Sequence, residues 1–316
     1  MTSFTGDDML YTRLRSGNMS NVYGGLFSQE YGFDSANTVK IARLYYSFPL
    51  GDEFTVVGGP RVRMDDMLPV WPSAYPAAMT YDFFTYAGAP GAYNLALGAG
   101  AGIYWTSDDF SISTSYLSTD GNSSDPNTGG MFTDGAGASA TTQIAYAPEN
   151  WGIAAAYTYA SGAEGGGSLY IGNATAGAAA ASAADNSSSF GISAWWMPEE
   201  SGIIPSVSAG YGGTFVEYLS DDVYTNSWYV GLEWSDAFIE GNSLGFAVGQ
   251  PTWIAQSDDG DLNEEAGFAY ELFYKFQVTD NISVTPALTY LSKPFPEQGS
   301  NGMSAFSGLI KTQFKF

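Results

Sequence analysis

The chain has 316 residues and a formal net charge of -23, from 10 basic and 33 acidic side chains. It contains neither cysteine nor histidine, which excludes disulfides, thiolate nucleophiles, histidine-based triads and the usual zinc and iron sites. Such acidity gives nucleic acid no basic surface to bind, and only carboxylates remain to hold a metal, which suits hard cations such as calcium.

The rest of the composition points to a wall rather than an enzyme. Only 14% of residues are charged, yet there are 22 Tyr, 20 Phe and 39 Gly. A soluble α/β protein of this size carries more charge and fewer aromatics. Strands with one apolar and one polar face, edged by interfacial aromatics, fit better. In chain order, alternation predicts strands over 4–16, 38–48, 53–62, 92–105, 109–117, 138–147, 150–160, 187–197, 202–212, 223–235, 243–250, 265–278, 281–291 and 304–316. The connections are of two kinds, and they alternate. Short polar ones fall at 49–52, 106–109, 147–150, 198–201, 236–242 and 279–281. Long ones fall near 17–37, 62–91, 118–137, 161–185, 213–222, 251–263 and 292–303.

Aromatics bracket the short turns: Phe48 and Phe54, Trp105 and Phe110, Tyr146 and Trp151. Trp and Tyr settle at membrane interfaces, so these brackets mark where a wall leaves the bilayer. The reading is an all-β transmembrane antiparallel β-barrel of fourteen strands, one domain over 1–316, with short periplasmic turns and long external loops. The count becomes sixteen if 62–91 or 161–185 hides a hairpin. A soluble sandwich also alternates, but its apolar faces would gather into one core, whereas here every strand keeps one. The uncharged stretch 83–107 is long enough for a transmembrane helix. It contains Pro90 and many glycines, so a loop followed by a strand is expected instead. No signal peptide precedes Thr2, and the chain is expected to be a processed or trimmed product.

The basic residues are Arg13, Arg15, Lys40, Arg43, Arg61, Arg63, Lys275, Lys293, Lys311 and Lys315; none lies between Met64 and Tyr274. A charge facing lipid costs about 2–4 kcal/mol at the midplane, so they are expected to face the lumen. Parity puts Arg13 and Arg15 with Tyr11. It puts Arg61 and Arg63 with Val57 and Gly59, opposite Phe54, Val56 and Val62, and Lys275 with Glu271 and Phe273. Lys40 breaks parity with Arg43, which a bulge would explain. Closure of the last strand on the first would merge both clusters into one basic wall, Lys311 and Lys315 beside Arg13 and Arg15. The segment 62–91 is too apolar for a solvated loop and is stiffened by Pro69, Pro72, Pro76 and Pro90. It is expected to fold into the lumen, presenting Asp65 and Asp66 to the basic wall; packing on a neighbouring subunit is the other choice. The acidic run Asp258, Asp259, Asp261, Asn263, Glu264 and Glu265 is a weak calcium candidate, since Glu264 stands where an EF-hand needs glycine.

The pieces KIARLYYSFPLGDEFTVVGGPRVRMDDMLPVWPS (Lys40 to Ser73), DFFTYAGAPGAYN (Asp82 to Asn94) and the terminal IKTQFKF resemble cyanobacterial outer-membrane porins of the Som type, related to OprB-type carbohydrate-selective porins. The resemblance covers the whole chain and is most specific over 40–105. It implies the outer membrane of a cyanobacterium, contact with lipid and lipopolysaccharide, a homotrimer, and passive diffusion of inorganic ions and small hydrophilic solutes. Members usually carry S-layer-homology and coiled-coil regions before the barrel, and this sequence is expected to comprise the barrel domain without them. The expected pore lining is Arg13, Arg15, Arg43, Arg61, Arg63, Lys275 and Lys311, with Asp65 and Asp66 on the constricting loop. No catalytic residue, resident metal or cofactor is expected. A carbohydrate-selective channel, or a filled-lumen barrel acting as enzyme or adhesin, are the alternatives.

Overall fold

Successive side chains of a strand point to opposite faces, so alternation along the chain becomes a two-faced wall. The computed structural model of the chain describes residues 3–19, 33–76, 81–133, 135–161, 186–200, 202–218, 221–257, 267–292 and 304–316. Its strands are Met9–Arg15 (β1), Lys40–Leu50 (β2), Phe54–Arg63 (β3), Leu97–Ser107 (β4), Phe110–Ser118 (β5), Ala138–Tyr146 (β6) and Trp151–Ser161 (β7). They continue with Asn186–Trp196 (β8), Ser206–Tyr218 (β9), Asp221–Ser235 (β10), Ser243–Ser257 (β11), Ala269–Thr279 (β12), Ile282–Leu291 (β13) and Ala305–Phe314 (β14). All fourteen form one antiparallel sheet whose spatial order is the chain order. No helix among the described residues is long and apolar enough to cross a membrane.

Every expected strand is present, with two differences. The strands β9 and β10 run through the expected loop 213–222, and β11 continues to Ser257. Among the described residues, 64–96 hold two 3-10 turns, Met64–Met67 and Asp82–Tyr86, and no further strand, in keeping with the count of fourteen; residues 162–185 lie outside the described residues. Among the described residues no ladder joins β14 to β1, so these two are the sheet's edges and the expected seam is not formed. β1 has seven residues, all of them in register with β2. The stretch ahead of it curls around Asp8, whose carboxylate accepts bonds from Ser3, Phe4, Thr5 and the Tyr46 hydroxyl, and is not extended. The acidic run 258–265 and Lys293 lie outside the described residues.

The outer face is apolar and exposed, for example Ile112, Ile144, Ile153, Ile192 and Ile310. At the short-turn end aromatics form a girdle: Phe54 is in register with Trp105, the Phe110 and Tyr146 rings lie 4.5 Å apart, and Trp151 is in register with Trp196. Such rings anchor a barrel at the bilayer surface. The inner face carries Ser, Gly, Ala and Thr, such as Ser111, Ser113, Thr141, Thr158, Ser189 and Ser193, all buried. Small polar residues facing a water-filled lumen would be exposed. Their burial means that something covers them.

Candidate constriction site

The cover is the segment between β3 and β4, in its described parts 64–76 and 81–96. Its Met64, Met67, Tyr81, Phe83, Phe84 and Tyr93 are at most 1% exposed. Burying each such side chain contributes about 1.5–3 kcal/mol, enough to draw the segment off the water and onto the wall. The first part packs with Val57, Val62 and Tyr45 near β2 and β3, and the middle lies along β10–β13 with Tyr229, Ala247, Phe273 and Leu291. This is the expected fold of the loop into the lumen.

Main-chain contacts fix its course. Ser193 on β8 donates to the Ala87 carbonyl at 3.0 Å, Ser227 on β10 to Gly88 at 2.8 Å, and Thr158 on β7 to Ala92 at 2.7 Å. Ser208 on β9 accepts from the Ala74 and Tyr75 amides at 2.9 and 3.1 Å. Asn94 donates to Ser139 at 3.0 Å, and Gln143 to the Tyr93 hydroxyl at 3.2 Å, both on β6. Burial pushes the Tyr93 hydroxyl up to about 12, so it stays protonated in any physiological medium. The approach is close enough to require glycine: a Cβ on Gly210 would overlap the Ala87 carbonyl oxygen, and Gly88 has φ +75°.

The basic residues gather beside the start of this segment. Arg13 on β1 is in register with Arg43 on β2, and Arg15 with Lys40. A bulge at Ala42 restores Lys40 to the inner face, as the broken parity suggested. Tyr11 and Tyr45, one step below, stack at 5.0 Å. Arg43 is 6% exposed; its Nε donates to Asp66 at 2.8 Å, and a second nitrogen donates to the Ala42 carbonyl at 2.9 Å. Arg63 forms a two-bond ion pair with Asp65 and donates its amide to Asp66 at 2.8 Å. Arg15 lies 4.3 Å over the Phe33 ring. Burial, the largest influence, pushes the Asp66 carboxyl above the usual carboxylate range, while the Arg63 amide and the two guanidiniums pull it back.

Two expectations change. Arg61 does not face the lumen. A bulge between Gly59 and Val62 places Val62 inward, opposite Gly98 and fully buried, and sets exposed Arg61 opposite Leu44 on the outer face. It sits at the external end of β3, where an outward charge meets headgroups and not hydrocarbon. Lys275 and Lys311 are on the inner faces of β12 and β14, in register with Ser243 and Thr285, but no ladder brings them to the Arg13 cluster. Lys275 instead lies within electrostatic reach of Glu233 on β10.

Sequence reasoning missed Glu271. It is 1% exposed on the inner face of β12 and accepts from the Tyr75 hydroxyl at 2.8 Å and the Tyr81 amide at 2.6 Å. The available signal was a lone carboxylate among the aromatics of AYELFYKF, four residues from Lys275, where a charge within a membrane span needs partners. No group of three or more acidic ligands occurs among the described residues.

Over residues 2–316 the chain matches the family described as "Carbohydrate-selective porin, OprB family". It belongs to that family. Two cyanobacterial relatives, uncharacterized proteins of Synechocystis sp. and Nostoc sp., are each 30% identical across the whole chain, which spans 62% and 59% of their lengths. The high-pH structure of Pseudomonas putida OprB superposes with a TM-score of 0.60 at 14% identity, over 92% of this chain and 77% of that one. An anion-selective porin from Comamonas acidovorans gives 0.53 at 14% identity, over 82% and 70%. The trimer form of Vibrio cholerae OmpT gives 0.54 at 11%, over 83% and 73%. At these identities the likeness is one of fold, that of outer-membrane β-barrels. This chain is therefore a member of the OprB family with the fold of an outer-membrane β-barrel and with cyanobacterial relatives.

Proposed function

We propose that this porin domain is a passive channel for inorganic ions and small hydrophilic solutes, with its passage between the inserted segment and the basic strip on β1–β3. The observation that carries the reading is the state of charge there. Arg43 and Arg63 are neutralised by Asp66 and Asp65, whereas no carboxylate among the described residues forms an ion pair with Arg13 or Lys40. Rows of charge set which ions enter, so the strip favours anions. The OprB family description supports a second reading, a carbohydrate-selective channel, and the partly exposed Tyr11, backed by the buried Tyr45 on which it stacks, supplies an aromatic edge beside the arginines for a sugar ring. A homotrimer is the proposed assembly, by analogy with the trimer form of OmpT. Arg61 on the outer face suits an acidic headgroup of lipopolysaccharide. Planar-bilayer recording under a salt gradient, paired with liposome swelling in sugars of graded size, tests both readings. Ohmic steps with an anion-directed reversal potential are expected, and a protein that gives no ion-carrying steps would sink the channel.

A further inference from the structure

We propose that Glu271 is a positioning residue for the channel. Its carboxylate holds the far half of the inserted segment against β10–β13 and keeps that half out of the passage. This rests on the channel reading. The geometry is that of a two-point latch. Oε1 takes the Tyr75 hydroxyl and Oε2 the Tyr81 amide, so one side chain grips the segment at positions six residues apart. The grip is dry: Tyr75, Tyr81, Phe84, Tyr229 and Phe273 pack in the same cluster.

The rest of the segment is held by other means. Its start is fixed to β2 by the Asp66–Arg43 pair. Residues 87–94 are fixed by hydroxyls of β7, β8 and β10. Among the described residues of 68–86, Ser73 bonds the Tyr229 hydroxyl at 2.7 Å and Ser208 takes the Ala74 and Tyr75 amides, and these contacts are neutral. Glu271 adds charge-assisted bonds to this half, and these are about twice as strong as neutral ones.

A further observation points to two states. Thr289 on β13 is directly across the ladder from Glu271, and its buried hydroxyl has no hydrogen-bond partner. Side chains so paired lie within reach of each other. The carboxylate therefore has a replacement donor when Tyr75 and Tyr81 leave, which lowers the cost of release.

The test is single-channel recording of the full chain in planar bilayers at fixed voltage. Wild-type conductance is the control that keeps the channel reading separate: its absence overturns that reading and this one with it. Glu271→Gln is expected to raise closed-state occupancy on the order of tenfold. Tyr75→Phe should raise it less, and the double variant no more than Glu271→Gln alone, because both changes break one contact. Thr289→Val should lower occupancy by removing the replacement donor. A folded Glu271→Gln barrel, judged by heat-modifiable mobility, that gates like wild type overturns the proposal. If that variant does not fold, wild-type gating in both Tyr75→Phe and Thr289→Val overturns it equally.

Discussion

Replacing Asp66 with Asn preserves the shape of the inserted turn and removes one charge from the strip. Asp66 accepts from Arg43 Nε and from the Arg63 amide, both at 2.8 Å, while Arg43 is almost wholly buried. Stripping a buried ion pair of one member costs about 3–5 kcal/mol. Asn keeps one acceptor oxygen, so a loss nearer 1–2 kcal/mol is expected. The electrical consequence is clearer. An unmasked unit charge about 6 Å from an ion in water acts with roughly 0.7 kcal/mol, which enriches anions and depletes cations by about threefold each at low salt. In planar bilayers under a tenfold potassium chloride gradient, this moves the reversal potential toward anions by tens of millivolts, on a scale limited to about 59 mV. Arg43→Gln should move it the other way. Acid should mimic the first change. Because burial raises the Asp66 carboxyl, it takes up a proton above the usual carboxylate range, and wild-type selectivity should turn more anionic as pH falls through that window. Stability follows the opposite sense from an ordinary paired acid: a raised value favours the folded state at low pH and loses that contribution as pH rises. Wild-type-sized conductance steps in Asp66→Asn with an unchanged reversal potential would show that the pair lies off the conducting path.

Arg61→Gln, by contrast, should leave the reversal potential unmoved, since a bulge turns that residue outward; a cation-directed shift would refute the outward placement. Gly210→Val should lift the segment at Ala87 and cost about 1–3 kcal/mol, read as a lower unfolding temperature and altered conductance. Unchanged values in both measurements would mean that the contact is not tight. The Asp8 carboxyl lies well below the usual range, held first by the Tyr46 hydroxyl and then by the Thr5 amide. Its stabilisation is present above the ordinary carboxylate value and is lost on acidification, so Asp8→Asn should flatten the acid side of the unfolding profile; parallel profiles would contradict this.

The strands were legible because period-2 alternation is imposed by the bilayer outside and by water or loop inside, and neither varies along the wall. The inserted segment was legible for a similar reason: Met67, Trp71, Phe83 and Phe84 are too apolar for an external loop. Side-chain facing was not secure where parity was counted through a bulge. Counting across Gly59, Pro60 and Arg61 sent Arg61 inward, although glycine next to proline in a strand is itself a bulge signal. The same kind of count flagged Lys40 as anomalous, and there the bulge was real. Glu271 could not be assigned because its partners, Tyr75 and Tyr81, are 196 and 190 residues away. The smallness of the inner face was visible in ISTSY, ATTQ and ISAWW, but its meaning depended on knowing what lies against it.

That inner face grips the inserted segment through hydroxyls bonded to peptide carbonyls at Ala87, Gly88 and Ala92 and to amides at Ala74 and Tyr75. Every residue type offers the same carbonyl. At these points the berth is blind to the cargo's spelling; Tyr75, Tyr93 and Asn94, bonded through their side chains, and Gly88, with its positive φ, are fixed, so drift elsewhere along the segment can retune the edge facing the passage without unmooring it.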